Sequence, residues 1–241
     1  IVEFKNIYDG LNLGINFNNK GVLNKPFLFG ITPIYSVNSK ALTGIANVAY
    51  NSYFEDQDLY NIRFGMAVSY ASFAENAFVT KTVPYLDFNF REAKDLRSNQ
   101  FKSLNFRYVD IQKDFIEVQD DEIIAPPYKV FNIRYLDGYN GFKKYHRWFL
   151  DAQFSDQFGK LSVNYEIRRR SNKNQFYNLR VFAGTFLYSK ISTGEKNFDF
   201  ALDRPTDYLF DYDYLGQFES TGIFSQQLIV AEGGFKSKLD T

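Results

Sequence analysis

The sequence predicts an all-β protein, built as an antiparallel transmembrane β-barrel of about a dozen strands. Aromatic residues make up 19% of the chain, with 27 Phe and 18 Tyr, and such bulky side chains favour extended structure. Apolar and polar residues alternate in one segment after another, which is the period of a two-faced sheet. The second face carries Asn, Gly, Ser and Arg beside Asp and Glu, as the polar interior of a barrel does.

The first two strands are predicted at residues 10–17 and 27–37, where every second residue is mostly apolar. Pro33 lies on the apolar face of the second segment and has no backbone N–H to donate. We therefore expect a weakened ladder at Pro33, with room for a bulge. A turn at residues 38–40 follows this segment.

The alternation is clearest at residues 59–72, where Tyr60 to Tyr70 places six large apolar residues opposite small and polar ones. The neighbouring segments have the same pattern in a less regular form. They predict strands at residues 42–53, 84–91 and 101–110.

Residues 117–127 are expected to form an acidic loop that ends on two prolines. Beyond it, short turns rich in turn-forming residues separate further alternating segments. These predict strands at residues 129–136, 145–154, 160–168 and 176–189. The last part, residues 200–217 and 221–234, is aromatic but irregular. No linker interrupts the chain, so residues 1–241 are predicted to form one barrel domain.

Composition excludes several classes of function. Lys and Arg number 28, as do Asp and Glu, and this neutral balance argues against nucleic acid as a partner. The absence of Cys excludes zinc ribbons, Cys nucleophiles and disulfides. No run of about 18 apolar residues predicts a transmembrane helix, whereas a barrel strand needs only about ten alternating residues.

Two sets of residues are predicted to have roles in a barrel. Charged residues on the polar face are candidates for lining the lumen, and aromatic residues near strand ends are candidates for the membrane interface. The candidate lumen residues are Arg63, Arg107, Arg134, Glu166 and Arg168, and the candidate interface residues are Tyr53, Tyr60, Tyr70 and Trp148.

Catalytic motifs are missing from the sequence. There is one histidine, His146, and no HExxH, GxSxG, P-loop or GxGxxG motif. By alternation His146 shares a face with Trp148, which favours a structural or interfacial use. We therefore predict no catalytic residue, no cofactor and no metal ligand in these residues.

Two acidic groups and one basic run have alternative interpretations. Paired carboxylates at residues 120–122 and 207–213 are compatible with Ca²⁺ binding or glycoside hydrolysis, but acidic loops more often just face water, and we favour that. Arg168, Arg169 and Arg170 either meet anionic lipid headgroups or are solvated or lumenal charges at a strand end. The sequence leaves both roles open for the basic run.

The tail carries the most specific pattern in the chain. Residues 203–212 read DRPTDYLFDY, and ESTG, FSQQ and EGGFKS follow at residues 219–222, 224–227 and 232–237. This tail resembles the C-terminal membrane-barrel region of large outer-membrane metallopeptidase-like proteins of the Bacteroidota, related to the M1 aminopeptidases. Residues 8–14 and 95–99 are similar to the same region. The tail positions that carry the resemblance are Asp207, Tyr208, Phe210, Asp211, Gly216, Glu219, Ser220, Gly222, Gln226, Gln227, Gly233, Gly234 and Phe235.

The resemblance implies an outer-membrane protein. In that family the zinc peptidase domain, where present, lies upstream, and its HExxH motif is not in this sequence. The implied role is that of a membrane anchor or scaffold for a peptidase-like domain, or a subunit of an outer-membrane complex. The expected partners are the lipid bilayer of the bacterial outer membrane and other outer-membrane or periplasmic proteins. Because the family's barrel continues past the Glu-Gly-Gly-Phe motif, the chain is expected to be a segment of a longer barrel.

Two alternatives stay open at this stage. A transport pore would use the charged second face as its lining. A soluble β-sandwich that binds glycans would instead gather its Tyr and Trp side chains on one concave surface.

Overall fold

The computed structural model describes residues 2–4, 9–21, 25–55, 58–74, 76–91, 98–114, 116–118, 121–123, 127–171, 175–190, 209, 214–215 and 228–229. Their regular structure is all β. The strands are β1 (Val2–Phe4), β2 (Leu11–Gly14), β3 (Phe17–Asn18), β4 (Phe27–Ser36), β5 (Leu42–Tyr53), β6 (Leu59–Ala74), β7 (Ala77–Phe90), β8 (Gln100–Lys113), β9 (Ile116–Val118), β10 (Asp121–Ile123), β11 (Tyr128–Asn140), β12 (Lys144–Phe154), β13 (Phe158–Arg170), β14 (Phe176–Ser189), β15 (Tyr214–Leu215) and β16 (Leu228–Ile229).

Twelve of these strands form one antiparallel sheet in which neighbours follow the order of the chain. The order is β1-β2-β4-β5-β6-β7-β8-β11-β12-β13-β14, and β3 also pairs with β4. The all-β antiparallel class and the number of about a dozen strands are confirmed. Over the described residues the sheet is open, with β1 and β14 at its edges. No helix in this part of the chain is long and apolar enough to cross a membrane.

The two faces of the sheet differ in which kind of side chain is buried. Among the described residues, thirty large apolar or aromatic side chains are exposed, whereas fourteen polar or charged side chains are buried. Asn132 and Asn164 are fully buried on one face, while Phe64 on the other face is 56% exposed. The more buried side of the sheet is therefore the polar one. We call the two sides the polar face and the apolar face.

One end of the polar face carries an apolar cluster. Its members are Val79, Val83, Val109, Ile111, Val130, Phe158 and Leu209. The cluster joins residues of β7, β8, β11 and β13 to a residue of the tail, and Phe158 is fully buried in it. This end of the face is therefore filled with packed side chains.

The predicted strand bounds are confirmed for β5 and β14 and are too short for several others. The strand predicted from residue 84 begins at Ala77, and the strand predicted to end at residue 110 continues to Lys113. In both extensions apolar side chains of the cluster, such as Val79 and Ile111, lie on the polar face and break the expected alternation. The strand predicted at residues 129–136 likewise extends to Asn140.

Two prolines interrupt ladders without shifting their register. β2 and β3 pair with β4 in the same register, and the gap between them lies opposite Pro33. Ile15 donates its N–H to the Pro33 carbonyl, 3.2 Å away, but Pro33 has no N–H to return. The strand predicted at residues 10–17 is therefore split in two.

This gap confirms the expected weakening of the ladder at Pro33. The expected bulge does not form, as the continuous pairing of β4 with β5 shows. Pairing of β7 with β8 is similarly interrupted at Pro84.

The acidic segment differs from expectation, and most of the tail lies outside the described residues. Within residues 117–127, predicted as a loop, β9 and β10 form a short antiparallel ladder. In the tail, β15 pairs with β16. The thirteen tail-motif residues and the carboxylates at positions 207, 211 and 213 lie outside the described residues.

Candidate functional site

The five candidate lumen residues all lie on the polar face. Strand register places Arg63 opposite Asp87, Asp87 opposite Asn105, and Asn105 opposite Arg134. Arg134 in turn lies opposite Asp151. One row of polar and charged side chains thus crosses five neighbouring strands, from β6 to β12. Arg107 lies on the same face in the adjacent row, and Glu166 and Arg168 lie two and three rows away in the opposite direction.

Asp151 is the centre of the first hydrogen-bonded group on this face. Its side chain is buried and accepts hydrogen bonds from Arg134 Nε at 2.8 Å and Asn132 Nδ2 at 2.8 Å. Gln153 donates to the other carboxylate oxygen at 2.7 Å. The side-chain oxygen of Asn132, Oδ1, accepts a hydrogen bond from Arg107 at 2.9 Å, so the group links β8, β11 and β12.

Glu166 is the centre of a second group, nearer the other end of the face. Arg147 donates to both of its carboxylate oxygens, at 3.0 and 3.1 Å. Asn164 donates to Glu166 at 2.9 Å and accepts from Arg180 Nε at 2.6 Å. This group joins β12, β13 and β14, and charge-assisted bonds of this kind are the strongest hydrogen bonds in proteins.

Arg63 and Arg168 make a different kind of contact. The guanidinium of Arg63 lies 5.6 Å from the centre of the Tyr85 ring, and that of Arg168 lies 5.2 Å from the Tyr145 ring. These distances are those of cation–π interactions. The Nε–H of Arg63 is buried and meets no hydrogen-bond acceptor among the described residues.

Cations outnumber carboxylates on the polar face. Over the strands of the main sheet from β4 to β14, ten basic side chains and three carboxylates of the described residues face this side. The basic residues are Arg63, Lys81, Arg107, Lys113, Arg134, Arg147, Lys160, Arg168, Arg170 and Arg180, and the carboxylates are Asp87, Asp151 and Glu166.

Sequence reasoning named only part of this site. It missed the two carboxylates Asp87 and Asp151 as site residues, and also Asn132, Arg147 and Arg180. The signal was present, since each of them lies at an alternate position on a strand that the sequence predicts. What the sequence does not provide is the register, which decides which side chains meet.

The apolar face has charged borders. Lys102 pairs with Asp137 at 3.6 Å, and Lys129 pairs with Asp110 at 3.7 Å. Between the two ion pairs, the apolar face of β8 and β11 carries only large apolar side chains: Leu104, Phe106, Tyr108, Phe131, Ile133 and Tyr135. Lys102 and Asp110 are eight residues apart, or about 27 Å along a strand. At the tilt of about 40° usual in barrels, this corresponds to a height of about 20 Å, close to the roughly 25 Å of a lipid-facing band.

Three of the four candidate interface residues lie at the borders of this band. Trp148 is opposite Asp137 in the register and contacts Tyr135 with ring centres 5.2 Å apart. Tyr60 is near the same border, where Arg91 lies over its ring at 5.5 Å. Tyr70 is near the opposite border, stacked on Phe78. Tyr53 does not belong to this set, because its pairing with Asn61 puts it on the polar face, at the end of β5.

The remaining candidates from the sequence are His146 and the basic run at residues 168–170. His146 lies on the apolar face, as alternation predicts, and stacks on Tyr139 with ring centres 6.2 Å apart. The basic run is divided between the faces: Arg168 and Arg170 lie on the polar face and Arg169 on the other. In the part of the chain that the structure describes, no three His, Asp or Glu side chains are close enough together to bind a metal ion.

Comparison with family models, with curated proteins and with solved structures gives no match to this chain. The functional argument therefore depends on the geometry of the two faces.

Proposed function

We propose that this chain forms the wall of a transmembrane β-barrel in the bacterial outer membrane. One observation carries the proposal: outside the apolar cluster the buried side chains are mostly polar, while large apolar side chains cover the exposed face. A water-soluble sheet has the opposite arrangement, because burial of apolar surface drives folding in water. In a bilayer the arrangement is stable, because hydrocarbon surrounds the apolar face and the polar face forms its own hydrogen bonds.

Within the membrane, the role that the geometry supports best is that of an anchor or scaffold. The groups around Asp151 and Glu166 bind neighbouring strands to each other through charge-assisted hydrogen bonds. The apolar cluster, which includes Leu209 of the tail, fills one end of the polar face. Both features favour a rigid and occupied interior. The resemblance of the tail supports a peptidase-like domain as the anchored cargo, or outer-membrane and periplasmic proteins as partners.

A transport pore is the second candidate, and the ten basic side chains on the described polar face are the observation that favours it. Planar-bilayer recordings of the reconstituted chain distinguish the two roles. A plugged anchor gives no steady conductance, whereas long-lived open channels would favour the pore.

A soluble glycan-binding sandwich is less compatible with the geometry. The exposed aromatic and aliphatic side chains are distributed over strands from β2 to β14, and most of them lie on the face away from the buried polar residues. A glycan site instead concentrates a few aromatic rings in one groove.

Detergent dependence tests the proposal. We expect the chain to give a monodisperse, β-rich species in a mild non-ionic detergent, and to aggregate when the detergent is diluted below its critical micelle concentration. Size-exclusion chromatography with light scattering and circular dichroism reads both states. A monodisperse folded species in plain buffer would refute the membrane proposal.

A further inference from the structure

A small cavity lies at one border of the apolar face, where β7 and β11 end and β8 and β12 begin. Its volume is about 40 Å³, which is room for roughly three water molecules at about 10–15 Å³ each. A space of this size suits one phosphate group better than a sugar ring. The described residues that line it are Phe90, Arg91, Ser98, Gln100, Phe101, Lys102, Asp137, Gly138 and His146.

The strand register fixes the position of this cavity relative to the apolar band. One row of paired residues crosses the four strands at the cavity and forms the border of the band: Phe90, Lys102, Asp137 and Trp148. The next row toward the middle of the band is apolar or aromatic throughout: Phe88, Leu104, Tyr135 and Leu150. In the proposed bilayer the cavity therefore lies at the level of the headgroups, with acyl chains directly beside it.

Two cationic side chains line the cavity together. Arg91 lies over the Tyr60 ring at 5.5 Å, a contact that uses the face of the guanidinium and leaves the N–H groups at its edge for other partners. The Lys102 ammonium pairs with Asp137 at 3.6 Å, so the one carboxylate of the described lining has a cation beside it.

Neutral donors add to these charged ones. The Ser98 hydroxyl accepts a hydrogen bond from the Gln100 backbone N–H at 3.2 Å and still has its own O–H to donate. The side chain of Gln100 carries an amide N–H group as well. A phosphate group is negatively charged and accepts hydrogen bonds through its oxygens, so its chemistry matches this set of donors.

We propose that this cavity binds the phosphate of a membrane-lipid headgroup, with Arg91 and Lys102 as the charged donors. The inference rests on the proposed barrel, because the bilayer is what places a lipid beside the cavity. It adds the class of lipid that the barrel recognises. The acyl chains of the bound lipid lie along the apolar row that contains Phe88, Leu104 and Tyr135, which is the reason for a lipid phosphate and not a free one.

The test uses the full chain in a mild non-ionic detergent, titrated with phosphatidic acid and with a diacylglycerol of the same acyl chains, which lacks only the phosphate. Native mass spectrometry counts the lipid molecules that the protein retains and gives an apparent dissociation constant for each lipid. The first variant is Arg91→Gln/Lys102→Gln, which removes both charged donors. The matched control is Lys129→Gln/Lys190→Gln, which removes two charges at the opposite end of the sheet, away from the cavity. Circular dichroism and unfolding by heat establish that each protein is folded.

We expect the chain to retain one phosphatidic acid, bound at least about tenfold more tightly than the diacylglycerol. Because two charge-assisted donors are lost, the first variant should bind phosphatidic acid at least about tenfold more weakly, while the control stays within about twofold of the unmodified chain. Arg91→Gln alone leaves the pair of Lys102 with Asp137 in place. It should weaken binding at least about threefold, and it replaces the double variant if that protein does not fold.

Three results would overturn the inference. In the first, the chain retains the diacylglycerol as well as it retains phosphatidic acid. In the second, the control loses as much binding as the cavity variants do, which would indicate a response to net charge alone. In the third, inorganic phosphate at the same concentration displaces the lipid, which would make the cavity a site for a free anion. Failure of the membrane proposal is separate, since it is read from solubility without detergent.

Discussion

Asp151 is buried on the polar face, and three side chains from two strands donate hydrogen bonds to it. At the scale of single residues, this face depends on such groups because each buried charge needs several partners. Removing a partner leaves a buried charge less compensated, which costs more than the partner's own contact contributes. Substitutions on this face should therefore be more damaging than substitutions of exposed ion pairs.

The first prediction concerns Arg134→Ala. It removes the cation bound to Asp151 Oδ1 at 2.8 Å. We expect the free energy of unfolding to fall by about 2–3 kcal/mol. This is less than the roughly 3–5 kcal/mol lost when a fully buried pair is broken, because Arg134 is partly exposed. Urea titration of the protein folded in lipid vesicles measures it. Lys129→Ala, which breaks the more exposed pair with Asp110, is the control and should cost under about 1 kcal/mol. Equal losses would contradict this account of the polar face.

The second prediction concerns a close approach of two strands on the same face. A Cβ on Gly65 would lie 2.4 Å from the Val48 carbonyl oxygen and 2.6 Å from the Tyr85 hydroxyl. Because one of these contacts is backbone, Gly65→Ala should cost about 1–3 kcal/mol by overpacking. Gly21→Ala is the matched control, since its nearest neighbour would be Lys25 Cε at 3.8 Å. Unfolding midpoints that shift equally for both variants would show that the close packing at Gly65 is not as described.

At the scale of strands, the largest errors in the predicted bounds occur where apolar side chains lie on the polar face. β5 and β14, by contrast, have the predicted bounds. β7 and β8 were predicted too short because Val79, Val83, Val109 and Ile111 place apolar side chains on the polar face. A period-2 pattern cannot anticipate an apolar cluster on the polar side, because that cluster forms only through packing between strands and with Leu209.

For the candidate site, the sequence predicted the face on which the residues lie but not their partners. Alternation alone placed Arg63, Arg107, Arg134, Glu166 and Arg168 on one face, as the structure has them. Their partners followed only from register, which depends on turn lengths and on irregularities such as the shift at residues 159–160. Tyr53 differs from the other three interface candidates in lying on the polar face, because a position near a strand end does not specify the face.

The third prediction concerns the ladder that Pro33 interrupts. Pro33→Ala supplies an N–H opposite Ile15, in register with the pairs on either side, so β2 and β3 should join into one strand. Hydrogen exchange measured by mass spectrometry should become slower across residues 13–18. We expect a change of about tenfold, because one added hydrogen bond contributes about 1 kcal/mol or slightly more. Pro84→Ala should act likewise between β7 and β8. Unchanged exchange in both variants would mean that the prolines do not cause the gaps.

At the scale of the whole molecule, the sheet is inverted relative to a soluble protein. Polar side chains are buried and large apolar ones exposed, the band of apolar side chains ends at two ion pairs, and aromatic rings lie near those ends. Each feature has a simple cause if hydrocarbon surrounds the apolar face.

The fourth prediction compares two substitutions on the apolar face. Phe64 lies in the middle of the band and is 56% exposed, and Tyr177 lies beyond its border and is 64% exposed. In a bilayer, Phe64→Arg should cost about 2–4 kcal/mol and Tyr177→Arg about 0–1 kcal/mol, because the cost of a charge depends on depth. Urea unfolding from lipid vesicles gives both values. In a water-exposed sheet the two changes would cost similar amounts.

The most direct test of the central claim uses the one tryptophan of the chain, Trp148, which the structure places at the border of the apolar band. The protein is folded into vesicles whose lipids carry bromine at different depths of the acyl chain, and tryptophan fluorescence is recorded. The account predicts strongest quenching of Trp148 by bromine near the headgroups. In the variant Trp148→Phe/Phe64→Trp, the strongest quenching should move to bromine near the bilayer centre. Fluorescence that brominated lipids leave unchanged, while aqueous acrylamide quenches it fully, would contradict a membrane-embedded apolar face.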